Sequence, residues 1–194
     1  MPFFQYHPWL FLFLVPAIGM RLWAEERREG TIELLLTLPI SQSGAILGKF
    51  LAAWIFTGIA LILTFPIWIT VNYLGDPDNG VIVASYIGSF LTAGGYLSIA
   101  ACLSAVTPSQ VIAFVLGTVV CFLFTVAGLP IVLDFFSAWA PEALVNTIAS
   151  FSFLTHFNSI TSGVIDFRDI VFFASLIAFW LVANGIAVEL KKAG

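Results

Sequence analysis

The stretch RLWAEERREGTIELLLTLPISQSGAILGK, residues 21–49, decides the fold, because it is the one long polar interruption in an otherwise apolar chain. It holds four of the seven Lys and Arg residues: Arg21, Arg27, Arg28 and Lys49. Between those charges lies a short apolar helix pattern closed at both ends. Gly30 suits the left-handed residue that ends a preceding helix. Thr31 can N-cap a new helix in which Ile32, Leu35 and Leu36 recur at helical spacing. Pro39 forbids continuation, and Ser41 or Ser43 can cap the helix after it. The pattern predicts a helix end, a sharp turn, a short helix over about 31–38, a second turn and a new helix. A short bounded helix beside a membrane has the form of a docking element.

Composition sets the solvent. Of 194 residues, 60% are hydrophobic and only 9% charged, and the mean hydropathy is +1.05. A soluble domain carries about a quarter charged residues. A chain this apolar cannot hide its surface in its own core, so lipid is its solvent and the fold class is an all-α polytopic membrane protein. The formal net charge of −4 comes from few charges altogether and does not describe an acidic face for basic ligands. No basic stripe exists for nucleic acid. Cys102 and Cys121 lie within apolar runs and read as small buried hydrophobes rather than a disulfide or metal pair. The first apolar run has no basic residue ahead of it, so it lacks the usual form of a secretory signal.

About 20 apolar residues cross the hydrocarbon of a bilayer. Five spans are predicted, over residues 3–23, 46–74, 81–106, 110–133 and 170–190, all in one transmembrane domain. The first places Trp9 and Trp23 like interfacial anchors and has Pro16 as a candidate kink. His7 reads as a wet interface residue. The second has a candidate kink near Pro66 and ends in the turn-rich GDPDNG of residues 75–80. The third carries Ser85, Ser89 and Ala93 on one small-residue stripe and Gly94, Ser98 and Cys102 on another. Such stripes let helices approach closely, here more as packing within the chain than as a dimer seam. Residues 107–109, TPS, turn into the fourth span. Residues 135–165 hold Pro141, scattered Ser, Thr and Asn, and apolar runs too short to span. They read as short interfacial or re-entrant helices, with Gly163 at a turn and His156 as a structural residue. Asp166 can N-cap the last span, and Asp169 favours the dipole of its first turn.

Lys and Arg counts, not net charge, set membrane orientation. With residues 21–49 in the cytoplasm, alternation puts 75–80 outside, 107–109 inside, 135–165 outside and the C-terminus inside. Six of the seven basic residues then fall inside, and only Arg168 falls outside. Arg168 there faces either lipid headgroups or Asp166. The N-terminus also falls outside, with no helix ahead of it to carry it there.

Residues 44–50, GAILGKF, have the look of a phosphate loop but fail it. The motif needs four residues between its first glycine and Gly-Lys, then Ser or Thr; here three intervene and Phe50 follows. Lys49, at the mouth of a span, reads as snorkelling. With two His in the chain, no Ser–His–Asp or Cys–His set forms. The span interiors hold no ionisable groups, and Asn72 and Asn184 lie toward span ends. That argues against an intramembrane enzyme and against a proton relay. No catalytic, cofactor-binding or metal-ligating residue is assigned.

EERREGTIELLLTLPIS, residues 25–41, followed by GKFLA, residues 48–52, resembles the first cytoplasmic segment of ABC-2 type transporter permeases. FSFLTHFNSITSGVIDFRDIVFF, residues 151–173, resembles the last external segment and final helix of the gliding-motility-associated permeases within that family. The resemblance implies six transmembrane helices per permease, a second permease chain as homo- or heterodimer partner, and two cytoplasmic ABC ATPase subunits that hold ATP and Mg. It implies that the short helix after the family's second span is a coupling helix seated on the ATPase. Carried over, Glu25, Glu26, Arg28, Gly30, Thr31, Glu33, Leu34, Leu35 and Pro39 form that joint. This chain shows five spans, and the family's first is the one without a counterpart, which would account for the external N-terminus.

The charges of residues 21–33 also have a plain reading. Arg21–Glu25 and Glu25–Arg28 are spaced as ion pairs on a solvated helix face, each contributing about 0.2–0.5 kcal/mol. The expected function is a transport subunit of the prokaryotic plasma membrane, without its own ATPase motif and without chemistry of its own. The alternative is a non-transporting scaffold or anchor for a motility or cell-envelope complex, which the same docking helix would serve.

Overall fold

The computed structural model describes residues 2–31, 41–137, 140–164 and 166–190, and every regular element among them is a helix. Helices α1 (Pro2–Gln5), α2 (His7–Gly19) and α3 (Arg21–Glu29) run nearly end to end. Next come α4 (Gln42–Ile62) and α5 (Phe65–Leu74), then α6 (Asn79–Val106) and α7 (Gln110–Val126). Three short helices follow, α8 (Pro130–Ser137), α9 (Glu142–Ser150) and α10 (Phe153–Thr161), before the final α11 (Phe167–Leu190). Among the described residues, four stretches are long and apolar enough to cross a membrane: His7–Glu29, Gln42–Leu74, Asn79–Val106 and Phe167–Leu190. A fifth crossing results if α7 and α8 count as one bent span. The all-α polytopic fold read from composition is the fold found.

α6 is the centre of the bundle and packs against α2, α3, α4, α7, α10 and α11. Its 28 residues give a rod about 42 Å long at ~1.5 Å per residue. Small side chains put it there. Ser85, Ser89, Ala93, Gly94, Ser98 and Cys102 are all buried, so both small-residue stripes serve packing within the chain. Lipid gives helices no hydrophobic reason to associate, and close contact must do it instead. The closest fit on α6 is at Gly95, where a Cβ would stand 2.5 Å from Cε1 of the fully buried Phe153. The hydroxyls of Ser85, Ser89 and Thr92 donate to carbonyls one turn back, Val81, Ser85 and Gly88, so these polar groups of α6 are satisfied without a partner helix. Cys102 and Cys121 are buried free thiols.

The helix starts follow local chemistry. Ser41, rather than Ser43, caps α4 by accepting from the Gly44 amide, and Asp78 caps α6 by accepting from the Gly80 and Val81 amides. Ser109 caps α7, and Asp166 accepts from the Arg168 amide ahead of α11. These caps start α4, α6 and α11 a few residues before the spans read from hydropathy at 46, 81 and 170, because capping residues are polar and fall outside an apolar window.

Larger departures have physical causes. The first span begins at His7 rather than Phe3, passes Pro16 without ending, and runs on through the charged residues to Glu29. His7 is not wet. It is 4% exposed, ringed by Phe3, Phe4 and Phe11, with Nδ1 2.7 Å from Ser89 Oγ. The Ser89 hydroxyl already donates to Ser85, so the imidazole donates to Ser89. Trp23 is 1% exposed and anchors nothing at the interface. The second span breaks at Leu63 and Thr64, just ahead of Pro66, since a proline ring excludes the carbonyl four residues earlier. Thr64 Oγ1 donates to Leu61 O at 2.6 Å and receives Tyr86 OH at 2.9 Å. The fourth span is not straight: α7 ends at Val126 and the chain turns 73° into α8. Pro130 opens α8, and the carbonyl four residues before it is that of Val126. The short helices α9 and α10, with the last residues of α8, lie in the region read as 135–165.

Gly95→Ala drives a methyl into Phe153, which has no free space to yield. Overpacking costs about 1–3 kcal/mol, enough to outweigh the ~1 kcal/mol of helix propensity gained. The thermal midpoint in detergent should fall for this variant. It should hold or rise for Gly48→Ala, where an added Cβ meets nothing within 4 Å.

Candidate coupling site

The charged connector leaves the bundle through α3 and returns through α4, and the geometry begins at the root of α3. At Met20 the helical ladder is interrupted. Ser104, near the end of α6, fills the gap: its Oγ accepts from the amides of Trp23 at 3.1 Å and Ala24 at 3.0 Å, and donates to Met20 O at 2.8 Å. Insertion of a side chain into the ladder is one of the few causes of a helix break. Here it also fastens α3 to α6. Trp23 and Ala24 are both buried, and Trp23 clusters with Ile46, Ala105 and Val188.

α3 ends as the sequence predicts. Gly30 is left-handed, with φ 70° and ψ 10°. The Thr31 amide donates to Glu26 O at 3.0 Å, the six-to-one bond of a Schellman cap. The sequence pattern has Thr31 capping a helix ahead of it; its described bonds run backward instead, with the hydroxyl also donating to Glu26 O at 3.4 Å. Glu33, Leu34, Leu35 and Pro39, and the coupling helix over about 31–38, lie outside the described residues, Thr31 apart.

Lys49 is where the structure corrects the sequence reading most. It does not snorkel. Its Nζ turns across to α3, donating to Leu22 O at 2.7 Å and to Glu26 Oε1, with the Trp23 ring centroid 4.7 Å away. The two side chains are 21% and 23% exposed, so water screens this pair far less than an open surface pair. Glu26 Oε2 and Arg27 Nε are buried without a hydrogen-bond partner. The pairs Arg21–Glu25 and Glu25–Arg28 do not form; among the described residues α3 instead pairs Arg28 with Glu29 at 4.0 Å, both well exposed and worth little. On the far side of the connector, Gln42 Nε2 donates to Gly185 O of α11 at 2.9 Å.

The joint residues therefore divide. Arg28, Gly30 and Thr31 stand exposed at the tip, Glu25 is half-buried, and Glu26 faces inward. Sequence reasoning missed Ser104, Gln42 and the inward role of Lys49. The only signal was a polar residue near the end of an otherwise small, apolar helix.

The opposite end of the bundle holds a second polar cluster. His156 on α10 has Nδ1 2.6 Å from Asp169 Oδ1 on α11, donates from Nε2 to Ser150 O at 2.9 Å, and stacks on Phe172 with centroids 3.9 Å apart. His156 is buried between α10 and α11. Asp169 does more than favour a helix dipole: it is 4% exposed and ties the short helices to the last span. No group of three or more candidate metal ligands exists among the described residues.

A multi-pass, all-helical bundle with apolar outer faces defines the class: a polytopic membrane protein. The family described as "ABC-2 family transporter protein" matches residues 9–188, and the chain belongs to that family. Heme exporter protein B of Paracoccus denitrificans is 34% identical over 67 residues, which cover 34% of this chain and 31% of that protein. Heme exporter protein B of Rhodobacter capsulatus is 33% identical over 70 residues, covering 36% of this chain and 32% of that protein. The match thus spans about a third of the length of each relative. The family read from residues 25–41 holds; these matches give no support to the gliding-motility association.

Ser104→Ala strips the partner from two buried amides and one carbonyl. An unmet buried donor costs about 1–3 kcal/mol. The variant should unfold at lower temperature than the parent, and hydrogen exchange should rise first at Trp23 and Ala24.

Proposed function

We propose that this chain is the membrane-spanning permease subunit of an ABC transporter in the prokaryotic plasma membrane. It forms the membrane pathway together with a second permease chain. It performs no chemistry and binds no nucleotide; ATP and Mg reside on separate cytoplasmic ATPase subunits. The connector of residues 30–40 docks on those subunits, with Glu25, Arg28, Gly30, Thr31, Glu33, Leu34, Leu35 and Pro39 at the contact. The observation that carries this reading is the fastening of both connector roots, at Ser104 and at Gln42, to helices that run the length of the bundle. Those bonds make the connector move with the bundle instead of hanging from it as a slack link. Family membership supports the same role.

The connector end is cytoplasmic and the C-terminus with it, since six of seven Lys and Arg then lie inside. Transport follows from unequal binding. The connector must hold the nucleotide-bound and nucleotide-free ATPase with different affinity, or no motion is transmitted. The relatives are named for heme export, which makes heme the first cargo to test.

Two measurements check this reading. Leu35→Asp or Glu33→Arg should abolish co-purification of the ATPase while leaving the chain in the membrane; unchanged association removes the docking assignment. Cysteine-directed labelling of intact cells with an impermeant reagent should reach Asp78→Cys and spare Glu29→Cys; the reverse would put the connector on the wrong side of the membrane.

A further inference from the structure

The two roots of the connector are joined by a single side chain. Lys49 lies two turns into α4, and its three partners, Leu22 O, the Trp23 ring and Glu26 Oε1, all belong to α3. Glu26 is also the residue whose carbonyl receives the amide of Thr31, the last described residue on the α3 side of the connector. A continuous polar path therefore crosses the base of the connector, from Thr31 through Glu26 to Lys49.

The junction at Met20 explains why such a path matters. Met20 keeps helical dihedrals and His7–Glu29 runs as one span, but Ser104 Oγ stands in for the ladder acceptors of the Trp23 and Ala24 amides there. With fewer ladder bonds of its own, that junction is the weaker link of the span. A second support, beyond the junction and tied to another span, stiffens it. Lys49 is the side chain that supplies it. The pair is sheltered, its ammonium has both a carboxylate and a backbone carbonyl as acceptors, and the aromatic face of Trp23 favours the charge.

We infer that Lys49 and Glu26 are positioning residues that lock α3 and α4 into one rigid yoke, so that force on the connector moves the first two spans together. This rests on the coupling role proposed above and assigns Glu26 to the inside of the joint rather than to the ATPase contact. Lys49 acts through Glu26 and α3 and touches neither cargo nor nucleotide.

The test uses the full chain in nanodiscs with its ATPase, in a background carrying Cys102→Ala and Cys121→Ala. Spin labels are placed at Glu29→Cys on α3 and Ser43→Cys on α4, and their separation is read by pulsed electron resonance in nucleotide-free and vanadate-trapped complexes. The parent should give one narrow distance that is the same in both states. Lys49→Met and Glu26→Gln should lose it to a broad distribution, and Lys49→Arg, which keeps donors for both acceptors, should restore it. A parent distance that changes between states, or a Lys49→Met distribution as narrow as the parent's, overturns the inference. The thermal midpoint of each variant is recorded so that a broad distribution counts for the yoke only where the bundle remains folded. If the ATPase does not bind the parent chain, the coupling role fails; the Lys49→Met comparison in the chain alone still decides whether the two roots are locked.

Discussion

At the junction of α2 and α3 one hydroxyl, that of Ser104, accepts two amides and donates to one carbonyl. The rest of the bundle obeys the same constraint. Hydrocarbon offers no hydrogen bonds, so a backbone group freed by a broken helix must be met by protein. Thr64 and Tyr86 meet the break ahead of Pro66. His156 meets Ser150 O at the end of α9, while Lys49 and Gln42 add bonds to Leu22 O and Gly185 O, carbonyls inside α3 and α11. Several of these bonds join elements distant in sequence. Irregular backbone in this chain is thus part of what ties the helices to one another, since side-chain burial between lipid-solvated helices supplies little net drive.

Small residues set which helix occupies the centre. α6 has Gly, Ala, Ser, Thr or Cys at most of its buried positions and can be approached from nearly every side. Larger residues on its neighbours then become the packing units: Phe153 against Gly95, Trp54 against Gly94. The outer faces of α4, α7 and α11 carry Ile55, Phe56, Leu123, Phe179 and Val182 exposed, as helices that face acyl chains must.

Local chemistry was legible in the sequence and distant chemistry was not. Gly30 could be placed because few residues adopt a left-handed cap, and Ser41 and Asp166 because a cap acts within three residues. Ser104 and Met20 are 84 positions apart, and His7 and Ser89 are 82 apart. Nothing in a serine's neighbours along the chain tells where its hydroxyl will go. The fourth span reads as straight for a different reason: hydropathy stays high through Leu133, while the turn is a steric effect of Pro130 that an average conceals. Lys49 reads as snorkelling because a lysine at a span mouth usually has water as its best partner; here a carboxylate and a carbonyl on α3 stand within reach. Of the coupling residues that the family resemblance implies, Gly30 and Glu26 have a physical account in the structure, and Glu26 has it facing the opposite way.

The two polar clusters at the ends of the bundle share the same pair of rods. α6 meets the connector end through Ser104 and, nearer its other end, meets Phe157 and Ile160 of α10 through Gly88. α11 meets the connector end through Gly185 and the opposite end through Asp169. Both are unbroken over 28 and 24 residues, and a continuous α-helix resists compression because each turn is braced by its own hydrogen bonds. α4–α5 and α7–α8, by contrast, break before they reach the short helices α9 and α10. α6 and α11 are therefore the two elements that hold the connector end and the short helices in one frame: the Phe153 wedge against Gly95 fastens α10 to α6, and the His156–Asp169 contact fastens it to α11.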